Sequence, residues 1–66
     1  MEIGCLVKTL VEKRTSDGER ELLIPVGTMG VLCEIHDTWA FIEIETVAIP
    51  EGAGVFGYNL DEFVVV

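Results

Sequence analysis

The feature that most restricts the fold is a pair of alternating segments joined by three polar residues. Alternate positions of residues 27–35 and of residues 39–45 give each segment one aliphatic face, and His36, Asp37 and Thr38 lie between the two segments. A period of two over segments this short is typical of β-strands, and Asp favours turns. The pattern predicts a β-hairpin, around which the rest of the chain can be arranged as a small antiparallel barrel.

The alternation gives this hairpin an inward aliphatic face and an outward, partly acidic face, which fixes the strand register. The residues predicted to point inward are Val31, Cys33, Ile35, Ala40, Ile42 and Ile44. Those predicted to point outward are Leu32, Glu34, Trp39, Phe41, Glu43 and Glu45. Leu32, Trp39 and Phe41 are therefore large apolar groups on the face that should meet water.

The remaining elements are predicted from turn residues and apolar runs. Residues 3–11 are expected to form a first strand, with Cys5, Val7, Thr9 and Val11 on one face. Residues 12–21 are polar throughout and are expected to form a long loop with a turn at Asp17-Gly18. Residues 22–24 return the chain to the core, and Pro25 ends that strand.

The C-terminal third is expected to contain two more short strands. Residues 47–49 form either a short strand or a cover for one barrel end, and residues 50–54 read as a loop. Residues 55–58 are predicted as a strand. Residues 59–62 suit a 3₁₀ turn with Asn59 as cap, and residues 63–66 a last strand paired with the first.

The length and the charge of the chain limit the classes of protein to which it can belong. A chain of 66 residues is one domain, residues 1–66, near the lower limit for a single apolar core. The formal charge is -8, from 12 acidic and 4 basic residues. Nucleic-acid binding depends largely on Lys and Arg that neutralise phosphates, so a nucleic-acid partner is not expected. A basic protein partner or solubility alone would explain the acidity.

Apolar runs and the N-terminus bear on location. No apolar run approaches the roughly 20 residues needed to cross a bilayer. The start of the chain lacks the basic and apolar regions of a secretory signal. We therefore expect a soluble, cytoplasmic protein that does not associate with membranes.

No catalytic or metal-binding constellation is visible. Cys5 and Cys33 are interpreted as buried free thiols, and the single histidine leaves a zinc site without ligands. His36 beside Asp37 has no nucleophile to serve and is interpreted as a solvated turn residue. Glu43, with the other carboxylates of the hairpin, is interpreted as part of a wet face rather than a cation site. We expect no cofactor and no enzymatic activity.

The order of elements resembles the SH3-like small barrels of bacterial proteins. The pattern P-x-G-T-x-G-V, followed by W-x-x-I-E, is similar to KOW-type barrels, to the SH3-like part of nitrile hydratase beta subunits and to several short bacterial families. The resemblance implies an all-β fold, a five-stranded antiparallel barrel with a 3₁₀ turn before the last strand. It implies no activity, because fold does not fix function.

Two departures from those families limit what the resemblance implies. RNA-binding KOW domains usually carry basic residues near the glycine turn, where this chain is neutral. Proline-binding SH3 domains carry a paired-tyrosine motif, which this chain lacks. The resemblance therefore implies neither RNA binding nor the binding of proline-rich segments.

The leading functional hypothesis is a protein-interaction module that docks a partner through an outward aromatic patch. The residues assigned to that patch are Leu32, Trp39, Phe41, Glu43 and Tyr58. Two alternatives are open: a KOW-like module associated with nucleic acid or the ribosome, and an accessory subunit of a larger enzyme. It is also open whether the aromatic groups are exposed, form a second small core under the long loop, or mediate self-association. Edge strands offer a second docking mode by strand addition.

Overall fold

The computed structural model describes residues 1–17, 20–45 and 52–66, which form an all-β, antiparallel structure as the sequence predicts. Its seven strands are β1 (Leu6–Thr9), β2 (Lys13–Asp17), β3 (Arg20–Ile24), β4 (Met29–Ile35), β5 (Trp39–Glu45), β6 (Ala53–Asn59) and β7 (Phe63–Val65). Within the described ranges, no helix has the length and apolar character required to cross a membrane.

Five strands form one sheet in the order β6-β5-β4-β1-β7, and β2 and β3 form a separate hairpin. The last strand pairs with the first, as predicted, with Val7 opposite Val65 and Thr9 opposite Phe63. The predicted closure into a five-stranded barrel is wrong. Among the described residues, β6 and β7 remain the two edges of an open sheet, and two further strands form the hairpin.

The core lies on one face of the five-stranded sheet. Its buried apolar residues are Val7, Ile24, Leu32, Ala40, Ile42, Ile44, Tyr58 and Phe63. Thr9 is the buried polar residue among them, and its hydroxyl donates to Pro25 O at 3.1 Å and accepts from Thr28 N at 3.0 Å. These bonds satisfy a hydroxyl that would otherwise be costly to bury, and they tie β1 to the segment that leads into β4.

A β-bulge in β4 corrects the predicted faces of the central hairpin. Leu32 pairs with Ile42 and Glu34 pairs with Phe41, so Cys33 is an extra residue on that strand. A bulge shifts the alternation by one residue. Leu32 therefore points into the core and is fully buried, whereas Val31, predicted inward, lies opposite Glu43 with 37% of its surface exposed.

The predicted long polar loop is mostly a hairpin. β2 and β3 pair from Lys13 opposite Ile24 to Asp17 opposite Arg20. Leu22 of β3 is partly buried and Ile24 is only 1% exposed, and Pro25 follows the strand end as predicted. The expected Asp17-Gly18 turn lies outside the described residues, since residues 18–19 are not described.

The turn before β7 is a β-turn rather than the predicted 3₁₀ turn. Glu62 N donates to Asn59 O at 2.9 Å, which closes the four-residue turn. The Glu62 carboxylate accepts from Asn59 N at 2.7 Å, so the capping side chain is Glu62 and not Asn59. The predicted strand at residues 55–58 is confirmed within β6, whereas the prediction for residues 47–49 falls outside the described residues.

Candidate functional site

The β4–β5 turn places an aromatic group on the sheet face opposite the core, here called the outer face. His36 N donates to Trp39 O at 2.8 Å, so His36 and Trp39 are cross-strand neighbours on either side of Asp37 and Thr38. Phe41 follows two residues after Trp39 and therefore shares its face. The predicted outward direction of Trp39 and Phe41 is confirmed by the buried residues that alternate with them.

His36, Trp39 and Phe41 form a compact aromatic cluster. The rings of His36 and Trp39 are stacked, with centroids 4.1 Å apart and planes inclined by 17°. Phe41 meets the Trp39 ring edge to face at 4.8 Å and the His36 ring at 5.8 Å. Edge-to-face and offset contacts are the favoured arrangements for such pairs. The cluster is partly buried by its own contacts and still reaches solvent.

Glu34 adds a carboxylate to one side of the cluster. Its Oε1 lies 3.3 Å from His36 Nε2, and the Glu34 side chain is 59% exposed. The contact does not reach hydrogen-bond geometry, and Nε2 has no hydrogen-bond partner within the described residues. His36 is therefore a turn residue that is partly exposed and partly covered by the cluster, rather than fully solvated. Its three-residue spacing from Trp39 across a short turn is the signal that could have placed the two rings together.

β6 flanks the cluster with small side chains. Gly57 lies opposite Phe41, and the Trp39 ring extends over it. A Cβ at Gly57 would lie 3.8 Å from the nearest Trp39 ring atom, an ordinary contact distance. Aromatic groups placed over a glycine in a neighbouring strand protect the backbone there. Farther along, Val55 lies opposite Glu43 and is 51% exposed.

Two residues assigned to the patch from sequence do not belong to it. Leu32 is fully buried because of the bulge at Cys33, and Tyr58 is 1% exposed because it lies opposite Ala40 on the core face. The Tyr58 hydroxyl is buried without a hydrogen-bond partner among the described residues, and the ammonium of Lys13 lies 4.6 Å from the ring centroid.

The charges around the cluster are mostly negative. Glu43 and Glu45 are exposed on β5, on the same face as the aromatic rings. A shallow groove beside the β4–β5 turn is lined by Asp37, Thr38, Asn59, Leu60 and Asp61. The outer face therefore combines aromatic surface with carboxylates on several sides, and such a surface attracts cationic groups.

The imidazole, thiol and carboxylate side chains of the described residues are the candidates for a metal site. Within those ranges, no group of three or more His, Cys, Asp or Glu side chains is placed to hold a metal ion. Cys5 and Cys33 are free and partly buried rather than fully buried as expected. The distinctive feature of the site is therefore a partly exposed aromatic cluster with a carboxylate beside it.

Comparison of the chain with protein-family models, with curated proteins and with solved structures found no match.

Proposed function

We propose that this chain is an SH3-like domain that acts as a non-enzymatic docking module. The observation that carries the proposal is the cluster of His36, Trp39 and Phe41 on the outer face. Aromatic side chains that are partly buried by one another are already ordered. Their conformational entropy therefore falls little further when a partner packs on them. Aromatic anchors also carry a large share of interface energy.

The order of the elements supports the SH3-like assignment. A first strand, a polar hairpin, a central three-strand meander and a short turn into a last strand that pairs with the first follow one another along the chain. This is the order on which the sequence resemblance rests. The short polar hairpin replaces the expected loop without changing that order.

The charge of the outer face supports a basic partner. Glu34, Glu43 and Glu45 are all exposed near the cluster, and the whole chain carries a formal charge of -8. A second copy would bring like charges together, which costs free energy. A partner with Lys or Arg near an apolar segment would gain from both the rings and the carboxylates.

The test is affinity capture with matched variants of the purified protein. Trp39→Ala and Phe41→Ala remove the anchors, and Val64→Ala is the control because Val64 is an exposed apolar residue on β7. We expect a basic protein to be retained by the wild type and by Val64→Ala and lost with both aromatic variants. Equal retention by all four proteins would refute docking through the cluster.

A heparin column at low salt separates the proposal from the KOW-like alternative. The acidic surface predicts that the protein flows through, since phosphate-like polyanions are repelled. Retention, with elution by salt, would favour nucleic acid over a basic protein. Stable co-purification with one larger enzyme would instead identify an accessory subunit.

A further inference from the structure

The β6 edge of the sheet stands next to the acidic part of the outer face. Among the described residues, β6 pairs with β5 alone, so its other side presents unpaired backbone groups. Such an edge is a template for an additional strand. No charged residue occurs in the Ala53–Asn59 segment, so it lacks the lysine or other charge that commonly blocks strand addition.

The side chains of β6 leave the carboxylates of β5 accessible from that edge. Ala53 lies opposite Glu45, Val55 opposite Glu43 and Gly57 opposite Phe41. All three β6 residues share the outer face with their partners, and all three are small or short. A side chain of a strand added beside β6 would therefore contact these short residues first. The carboxylates and the aromatic ring of β5 lie on the far side of them.

From this arrangement we infer that the partner is an extended basic segment that adds to the sheet as a strand along β6. This inference rests on the proposed docking function and specifies the partner's form. An added strand lies about 10 Å from β5, two strand spacings away. Lysine and arginine stems lie along apolar surface while their charged ends stay in water. Basic residues at alternate positions would thus cover Val55 and reach Glu43 and Glu45.

Charge complementarity distinguishes this occupant from a second copy of the chain. Two β6 edges could pair by backbone hydrogen bonds, but each would bring Glu43 and Glu45 of its own sheet toward the same seam. A basic segment gains the backbone bonds and the ion pairs together. Backbone bonds give such complexes their affinity, and alternate side chains give them specificity.

The probe is a seven-residue peptide, blocked at both ends, in which lysine alternates with threonine and valine; it matches the seven residues of β6. Three control peptides accompany it. One replaces lysine by glutamate, and two carry N-methyl groups at alternate residues, in the two possible registers. N-methylation removes the donors that a strand needs on one side.

We expect slowed amide exchange at alternate residues of β6 when the lysine peptide binds. The glutamate peptide and one of the two N-methylated peptides should not bind. Glu43→Gln combined with Glu45→Gln should weaken binding about threefold to tenfold at low salt, as for two exposed ion pairs. Glu21→Gln is the control, because Glu21 is exposed on β3 and lies outside the five-stranded sheet.

Three results would overturn the inference. If both N-methylated peptides bind as well as the parent and Trp39→Ala abolishes binding, the partner packs on the aromatic cluster without adding a strand. The proposed docking function would then stand while this inference fails. No binding of the lysine peptide at millimolar concentration, or protection of β7 amides instead of β6, would also refute it.

Discussion

The imidazole of His36 lies flat against the indole of Trp39, 4.1 Å between ring centroids, across the turn that joins β4 to β5. The stack covers one face of the indole, and Phe41 meets it edge to face from the same strand. Trp39 is therefore partly shielded by its neighbours while the cluster as a whole faces solvent. Solution measurements on this single tryptophan report directly on the cluster.

Removal of the imidazole should expose the indole. We expect His36→Ala to increase acrylamide quenching of Trp39 and to shift its emission to longer wavelength, because one ring face loses its cover. Thr38→Ala is the control, since Thr38 is exposed in the same turn and contributes no ring to the cluster. Equal quenching in the wild type and in His36→Ala would contradict the stacked arrangement.

Substitution by alanine should lower the free energy of unfolding at one glycine of the sheet and not at another. A Cβ at Gly30 would lie 2.5 Å from Ile42 Cγ2 and 2.8 Å from the backbone oxygen of Glu43. Because a backbone atom cannot move aside easily, Gly30→Ala should cost about 1–3 kcal/mol or more of unfolding free energy. Urea unfolding followed by circular dichroism measures this loss.

The matched variant is Gly57→Ala. Its Cβ would meet only the Trp39 ring at 3.8 Å. Alanine also restricts the unfolded chain more than glycine does, so stability should hold or rise by about 0.5–1 kcal/mol. If Gly57→Ala destabilised the protein as much as Gly30→Ala, the space assigned to these two positions would be wrong.

The sequence predicted the five strands of the larger sheet, but neither its open edges nor the register of β4. Val31, Leu32 and Cys33 are three consecutive apolar residues, so the sequence does not show where the alternation of faces shifts. One extra residue reverses the two faces of the strand before it, so Leu32 moved from the outer face to the core and Val31 moved the other way. The predicted outward direction of Trp39 and Phe41 is nevertheless correct, because β5 contains no bulge.

The β2–β3 hairpin was missed for a different reason. Its core-facing residues on β2 are Lys13 and Thr15, which do not give an apolar period of two. Lys13 can face inward because its ammonium lies over the ring of Tyr58, a cation–π contact at 4.6 Å. Such compensation depends on a residue distant in sequence, and local patterns cannot reveal it.

The buried hydroxyl of Thr9 should contribute more to the free energy of unfolding than the exposed hydroxyl of Thr28. Thr9→Val keeps the shape but leaves Pro25 O and Thr28 N without this partner, which should cost about 1–3 kcal/mol. Thr28→Val removes only an exposed hydrogen bond to Pro25 O and should cost less. Thermal unfolding compares the two, with a shift of roughly 4–8 °C per kcal/mol for a domain of this size. Equal shifts would contradict the assignment.

Tyr58 makes stability depend on pH in the alkaline range. Burial raises the pKa of the Tyr58 phenol above 10.0, and the negative charge of Glu62 raises it further. The unfolded phenol ionises near pH 10. The contribution of the neutral phenol is therefore fully present below about pH 10 and is lost as the pH rises through the higher pKa of the folded state.

Absorbance at 295 nm follows this ionisation, because Tyr58 is the single tyrosine. We expect the folded midpoint above pH 10, and a decline in unfolding free energy above that pH that is steeper in the wild type than in Tyr58→Phe. At neutral pH, Tyr58→Phe should be neutral or stabilising by up to about 1 kcal/mol, because the hydroxyl has no hydrogen-bond partner among the described residues. A midpoint at or below pH 10, or parallel pH profiles for the two proteins, would place the phenol in water rather than in the core.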